Sequence, residues 1–165
     1  MGTRRRRGDV TYENYSYCFD PDVADNPRLA ALKAYWDRKR GDRRMPLRSS
    51  IDPLELKDHL GSLVMIDVLE GAADFRMRVV GTSIVGALGR DSTGKLLSSL
   101  KSDDLEWWRF CDDLYRAIAT RGIVARAQGT LRMVGRDHRS FDSVLLPLDA
   151  GDGTVVKILA EQLFT

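Results

Sequence analysis

Cysteine is scarce in this chain: two in 165 residues, Cys18 and Cys111. They stand far apart and make no C-x-x-C pair. That argues against a disulfide framework or a redox motif, and predicts reduced thiols in a cytoplasmic protein. Long apolar runs are also missing, so no helix is expected to span a membrane. The start, MGTRRRRGDV, is basic but no apolar stretch follows it, so no secretory signal is expected. Histidine occurs only at positions 59 and 138. No Cys/His cluster has the spacing of a metal site, so no metal ligand is assigned.

What is present describes a globular domain. Apolar residues make up 43% of the chain and charged residues 30%. The length suits one domain with an extension at one end. The net charge of +2 conceals a split, because Arg4 to Arg7 supply four positive charges and the remainder is acidic by two. A basic arm on an acidic body permits weak phosphate binding. A solvated tail explains it better, and nucleic acid is not an expected partner. A second basic stretch runs from Lys33 to Arg48, with Lys33, Arg38, Lys39, Arg40, Arg43, Arg44 and Arg48 against Asp37 and Asp42.

Residues 1–25 show no clean period and are read as a flexible basic arm; the domain is assigned to 26–165. Asn26-Pro27 offers an N-cap and a first-turn proline for an amphipathic helix over 26–41, which Gly41 stops. Its stripe is Leu29, Leu32, Tyr35 and Trp36. Asp52-Pro53, with Glu55, predicts a second short helix ending at Gly61. The period then changes to two. SLVMIDVLE puts Val64, Ile66 and Val68 on one face, and DFRMRVVG does the same for Phe75, Met77 and Val79. TSIVGALG reads as a short helix capped by Thr82 or Ser83. Ser102, Asp103 and Asp104 start the strongest helix, with Leu105, Trp108, Cys111, Tyr115 and Ile118 at helical spacing and Gly122 as its stop. Its paired carboxylates, Asp103–Asp104 and Asp112–Asp113, read as a solvated face. Three more strands follow: VARAQGTLRMV, RSFDSVLLPLD and TVVKILAEQLF. The order predicts an α+β domain, a five-stranded antiparallel sheet with helices on one face.

Gly89, four residues, then Gly94-Lys95 is the start of a phosphate-cradling motif. That motif works when a buried parallel strand turns into a helix N-terminus. Here a short helix precedes Gly89, Leu96 replaces the hydroxyl residue that would hold Mg²⁺, and the later strands look like hairpins. Gly89 and Gly94 are better explained as turns between two helices. A nucleotide-binding enzyme using Lys95 is therefore the weakest of three functional readings.

Trp36 followed by basic residues, Pro46, Arg48, Asp52-Pro53, Leu60, Asp67, Phe75-Arg76, Arg78, Gly81-Thr82, Gly89-Arg90-Asp91, Thr93-Gly94-Lys95 and Leu146-Pro147-Leu148 occur in that order. Together they resemble the bacterial PAS family whose members are often a single small sensor-like domain, over residues 30–162. The resemblance implies a five-stranded antiparallel sheet with helices across one face. It implies a sensory or protein-interaction role and no reaction.

Haem-binding PAS domains resemble one another in an axial His on or near the long helix; residues 103–121 hold none. His59 and His138 read as exposed polar residues. Light-sensing flavin PAS domains resemble one another in a Cys within an Asn-Cys-Arg-Phe-like motif, and Cys111 in WRFCDD lacks that context. Cys111 reads as a small buried hydrophobe. No cofactor is assigned. An apolar pocket between sheet and helices, open to a small apolar ligand, is expected from Phe75, Met77, Val79, Ile84, Leu88, Trp108, Leu131, Met133, Val144 and Leu146. Packing of these side chains on one another is the competing expectation. The leading reading is a cytoplasmic, non-catalytic domain that forms a homodimer through Leu29, Leu32, Tyr35 and Trp36 and contacts a signalling protein. The second is a receptor for a small apolar molecule.

Overall fold

The computed structural model describes residues 10–101 and 104–165. The basic run Arg4–Arg7 lies outside them, as do Ser102 and Asp103. Among the described residues, seven strands form one sheet, with three α-helices. In chain order these are β1 (Val10–Thr11), β2 (Tyr15–Phe19), α1 (Pro27–Arg40), β3 (Leu63–Leu69), β4 (Asp74–Val80), α2 (Thr82–Leu88), α3 (Leu105–Arg121), β5 (Ala125–Leu131), β6 (Arg136–Asp149) and β7 (Val155–Phe164). The spatial order is β1-β2-β5-β6-β7-β3-β4. All neighbouring strands are antiparallel.

The sheet thus has seven strands, not five. The two additional ones come from the stretch expected to be a flexible arm. Tyr15 and Tyr17 are two apart and both buried. They sit on β2, which pairs with β5 from Tyr15 opposite Gly129 to Phe19 opposite Ala125. This is the period-two signal of a half-buried strand. Gly129 is needed there, because a Cβ would stand 2.6 Å from the Asn14 carbonyl oxygen and 2.7 Å from the Tyr15 ring.

The helices lie on both faces of the sheet, not one. Ser143 and Leu145 of β6 and Ala160 of β7 border a cavity against α3. Their neighbours point the other way, since side chains alternate along a strand. On that second face lies α1. Its Trp36 donates from Nε1 to the Pro147 carbonyl at 2.9 Å, and its Arg28 pairs with Glu161 of β7 at 3.1 Å. β6 is buried from Phe141 to Asp149 apart from half-buried Asp142. A strand covered on both sides reads as one continuous apolar run, VLLPL, with no alternation to mark its faces.

Local chemistry sets the ends. The Asn26 side chain accepts from the Leu29 amide and Gly41 follows the last turn of α1. Asp104 caps α3, accepting from the Trp107 amide at 2.9 Å. Gly122 closes α3 at φ 61, where glycine has no Cβ penalty. Gly81 precedes α2, without a side-chain cap from Thr82 or Ser83. Residues 53–62 form short 3₁₀ turns rather than a helix. Arg78 is an extra residue in β4, which places Val79 opposite Met65 and Met77 opposite Ile66. Val79 is consequently 48% exposed while Phe75 and Met77 are buried.

Candidate functional site

The candidate site lies where α3 crosses the sheet. α3 contributes Trp107, Phe110, Cys111, Leu114 and Tyr115. Opposite them stand Val64 and Ile66 of β3, Ala127 of β5, and Phe141, Ser143 and Leu145 of β6. Ala160 and Gln162 of β7 complete the wall. The small side chains at Ala127, Ser143 and Ala160 let a bulky helix face approach. The space left is a cavity of about 40 Å³. That is room for two or three waters, about tenfold below the space a drug-sized ligand occupies.

Aromatic side chains take up the rest. Tyr15 of β2 packs on Trp107 at 5.1 Å and on Phe110 at 5.2 Å between ring centroids. Trp107 meets Phe141 edge-on at 5.7 Å. Tyr12 and Tyr17 also meet Phe110, at 5.7 and 5.9 Å. Offset and edge-to-face pairs of this kind add to simple burial. The β1–β2 hairpin is tied to the outside of α3 by Tyr12 donating to Asp113 and by the Asn14 amide donating to Glu106 at 3.0 Å.

The polar groups in the wall are held neutral. Burial pushes the Cys111 thiol well above its ordinary value, outweighing the hydrogen bond with Tyr115 that lowers it. Burial likewise pushes the Tyr115 phenol up. A thiol that stays protonated is a poor nucleophile and a poor metal ligand. Ser143 donates to the Ala127 carbonyl at 3.1 Å, so its hydroxyl is already used.

None of the ten expected pocket residues lines this cavity. Val144 and Leu146 occupy the alternate positions of β6 and are buried on the face that α1 covers. Phe75, Met77, Ile84, Leu131 and Met133 are buried in the core. Phe75 comes near the cavity by packing on Tyr115 at 5.6 Å. Val79 is exposed, and Leu88 and Trp108 are half-buried beside the core. The expected stripe of α3 included Cys111 and Tyr115, and both line the cavity. Trp107 and Phe110 were missed, and Phe110 carried a readable signal, since it repeats at four-residue spacing with Leu114 and Ile118 and all three are buried. Leu105, included in the expected stripe, is 45% exposed.

The four residues expected at a dimer contact are inside the protomer. Leu29 and Leu32 have no exposed surface, and Tyr35 and Trp36 are 5% exposed. Any contact between copies would use other side chains. α1 is also anchored by charge. Arg126 of β5 reaches Asp25 at 2.7 Å and Asp142 at 2.6 Å. Fully buried Glu161 accepts from Ser62 at 2.6 Å and lies 2.9 Å from His59 Nδ1. His59 is therefore a partner of a buried carboxylate rather than an exposed polar residue. His138 is exposed.

The Gly89–Lys95 loop is built for packing. Gly89 ends α2 at φ 71, and Asp91 accepts from both the amide and the hydroxyl of Thr93. The Gly94 amide donates to the Met77 carbonyl, and the Met77 amide donates to Lys95. The amides of Thr93 and Gly94, which a phosphate would need, are occupied by the protein.

The family model described as PAS domain matches residues 24–161. The chain belongs to the PAS domain family. Among solved structures, a domain of an HTR-like protein from Haloarcula marismortui ATCC 43049 is 19% identical, with a TM-score of 0.41, covering 62% of this chain and 96% of that one. An RNA-binding Light-Oxygen-Voltage receptor is 15% identical, with a TM-score of 0.47, covering 90% of this chain and 38% of that one. No curated protein matches. These structural likenesses are too remote to say what this PAS domain binds.

Proposed function

We propose that this PAS domain is a non-catalytic sensory and interaction module that acts by contact with a partner protein in signal transduction. The observation that carries this is the cavity between α3 and the sheet. At about 40 Å³ it has been given over to packing, with Tyr15, Trp107, Phe110 and Phe141 where a ligand would sit. The neutral Cys111 and Tyr115 and the occupied Ser143 hydroxyl offer no nucleophile–base pair. A cytoplasmic setting belongs to the same proposal, supported by the reduced, buried thiol of Cys111.

Receptor function is the second reading. The side-chain amide of Gln162 in the cavity wall favours it, because it would orient a small molecule once the hairpin over Phe110 moved. Native mass spectrometry of the protein isolated from its own cells separates the two. A bare chain mass is expected. A small-molecule adduct that disappears in Ala127→Phe, a variant that fills the cavity, would replace the contact reading with the receptor reading.

A further inference from the structure

The C-terminal ends of α1 and α3 meet at one end of the molecule, and two clefts open there. One, of about 350 Å³, is bordered by Trp36 and Arg40 of α1, Arg121 at the end of α3, and Ile123 and Val124 beyond it. The other, of about 540 Å³, is bordered by Ala119 and Thr120 of α3 and by Val68 and Val155 near the tips of two hairpins. Arg44 borders both.

The charges at this end are unequally matched. Lys33 and Arg40 share Asp37, each at 2.9 Å. Arg43 is taken by Asp149 at 3.1 Å. Arg121 lies over the Phe19 ring, 4.3 Å from its centroid. Arg44 has neither an acid nor a ring partner among the described residues. Asp20 also borders the first cleft, and Asp42 lies in the same loop, yet the cations outnumber the acids. Arg44 is exposed, and its guanidinium lies beside buried Gly122 at the end of α3, where a Cβ would stand 2.6 Å from Nη2.

We propose that this end of the molecule docks an acidic, partly apolar segment of a partner protein, with a carboxylate on Arg44 and flanking side chains in the two clefts. The inference rests on the contact reading and names the chemistry of the partner. A planar guanidinium takes a carboxylate through two parallel hydrogen bonds. Mixed hollows on either side suit a chain that places an apolar group before and after the acid. Nucleic acid is the poorer fit. The rings at this end that could stack on bases already carry cations: Arg38 and Lys39 over Tyr35, Arg40 over Trp36, Arg121 over Phe19.

The test is fluorescence anisotropy of the full chain with labelled peptides in which Glu alternates with Leu, Phe or Ala. The comparison probes are the same peptides with Gln for Glu, and a labelled oligouridylate. The acidic peptides are expected to bind, and Arg44→Glu to weaken them by about tenfold or more. Arg132→Glu makes the same charge change at the far end of β5 and is expected to shift binding by less than about twofold. An unchanged melting temperature in both variants shows that folding is retained. Equal binding by Arg44→Glu, or equal binding of the Gln peptides, overturns the proposal. Tighter binding of oligouridylate overturns it in favour of a nucleic-acid surface. Absence of binding to the wild type overturns the docking site alone, since the contact reading is decided separately by the native mass measurement.

Discussion

At the scale of single residues, charge is spent on anchoring. Asp67 is 10% exposed in its side chain and is held by Lys157 at 2.8 Å and Arg78 at 2.7 Å. Burial would raise its pKa, but the hydrogen bonds from Lys157 and Arg78 prevail and hold it below the ordinary value of 3.8. A carboxylate depressed in the folded state stabilises the fold above its unfolded pKa, and that contribution disappears as pH falls through the folded one. Asp67→Asn should therefore cost on the order of 1.5–3 kcal/mol at pH near 6. The gap to wild type should shrink on acidification below about pH 4. Urea midpoints taken across that range check this, and a constant gap would refute it. The alternation of the strand placed Asp67 opposite the Val64, Ile66 and Val68 face, and its burial there was not legible from the sequence. Its pairing with Lys157 was not legible either, because that residue comes from a strand ninety residues on, while Arg78 stands on the adjoining strand β4.

At the scale of elements, close approach decides more than propensity does. Gly81 joins β4 to α2 with an ordinary negative φ. Its hydrogen faces the 60–61 backbone, and a Cβ would stand 2.3 Å from the Gly61 oxygen. Backbone cannot yield as a side chain can. Gly81→Ala is expected to cost about 1–3 kcal/mol, read as a lower denaturant midpoint with an unchanged slope. The β1–β2 hairpin makes a second case. Tyr15→Ala removes a ring that contacts Trp107, Phe110 and Phe141, and should cost about 3–5 kcal/mol. If residues 10–19 were a loose arm, the same change would leave the thermal midpoint unaltered. The sequence showed Tyr15, Tyr17 and Phe19 two apart, but the strand is short and its partner, β5, lies more than a hundred residues later. Long, periodic α3 was far easier to see. Its expected stripe held the buried Cys111 and Ile118, but it missed Phe110 and took in the exposed Leu105.

At the scale of the whole molecule, the antiparallel core followed from the order of periods along the chain, and the PAS class from the resemblance carried by the motifs between residues 30 and 162. The two-sided covering of the sheet did not, because β6 is apolar on both faces and nothing in VLLPL says which side meets α3. That ambiguity moved the expected pocket to Val144 and Leu146, one residue out of phase with Ser143 and Leu145. Since α1 is an integral layer, Trp36→Ala should destabilise the entire domain by about 3–5 kcal/mol. Far-ultraviolet ellipticity and tryptophan emission should still lose their signals together. Separate transitions would show that α1 unfolds independently of the sheet.

The margins of the sheet carry a last consequence. On one side β1 is two residues long. On the other, the middle of β4 is already engaged by residues 94–96. Among the described residues neither flank offers a long ladder of vacant peptide groups, so lateral recruitment of a foreign strand is disfavoured. Recognition by this PAS domain is expected to run through side chains rather than through an added strand.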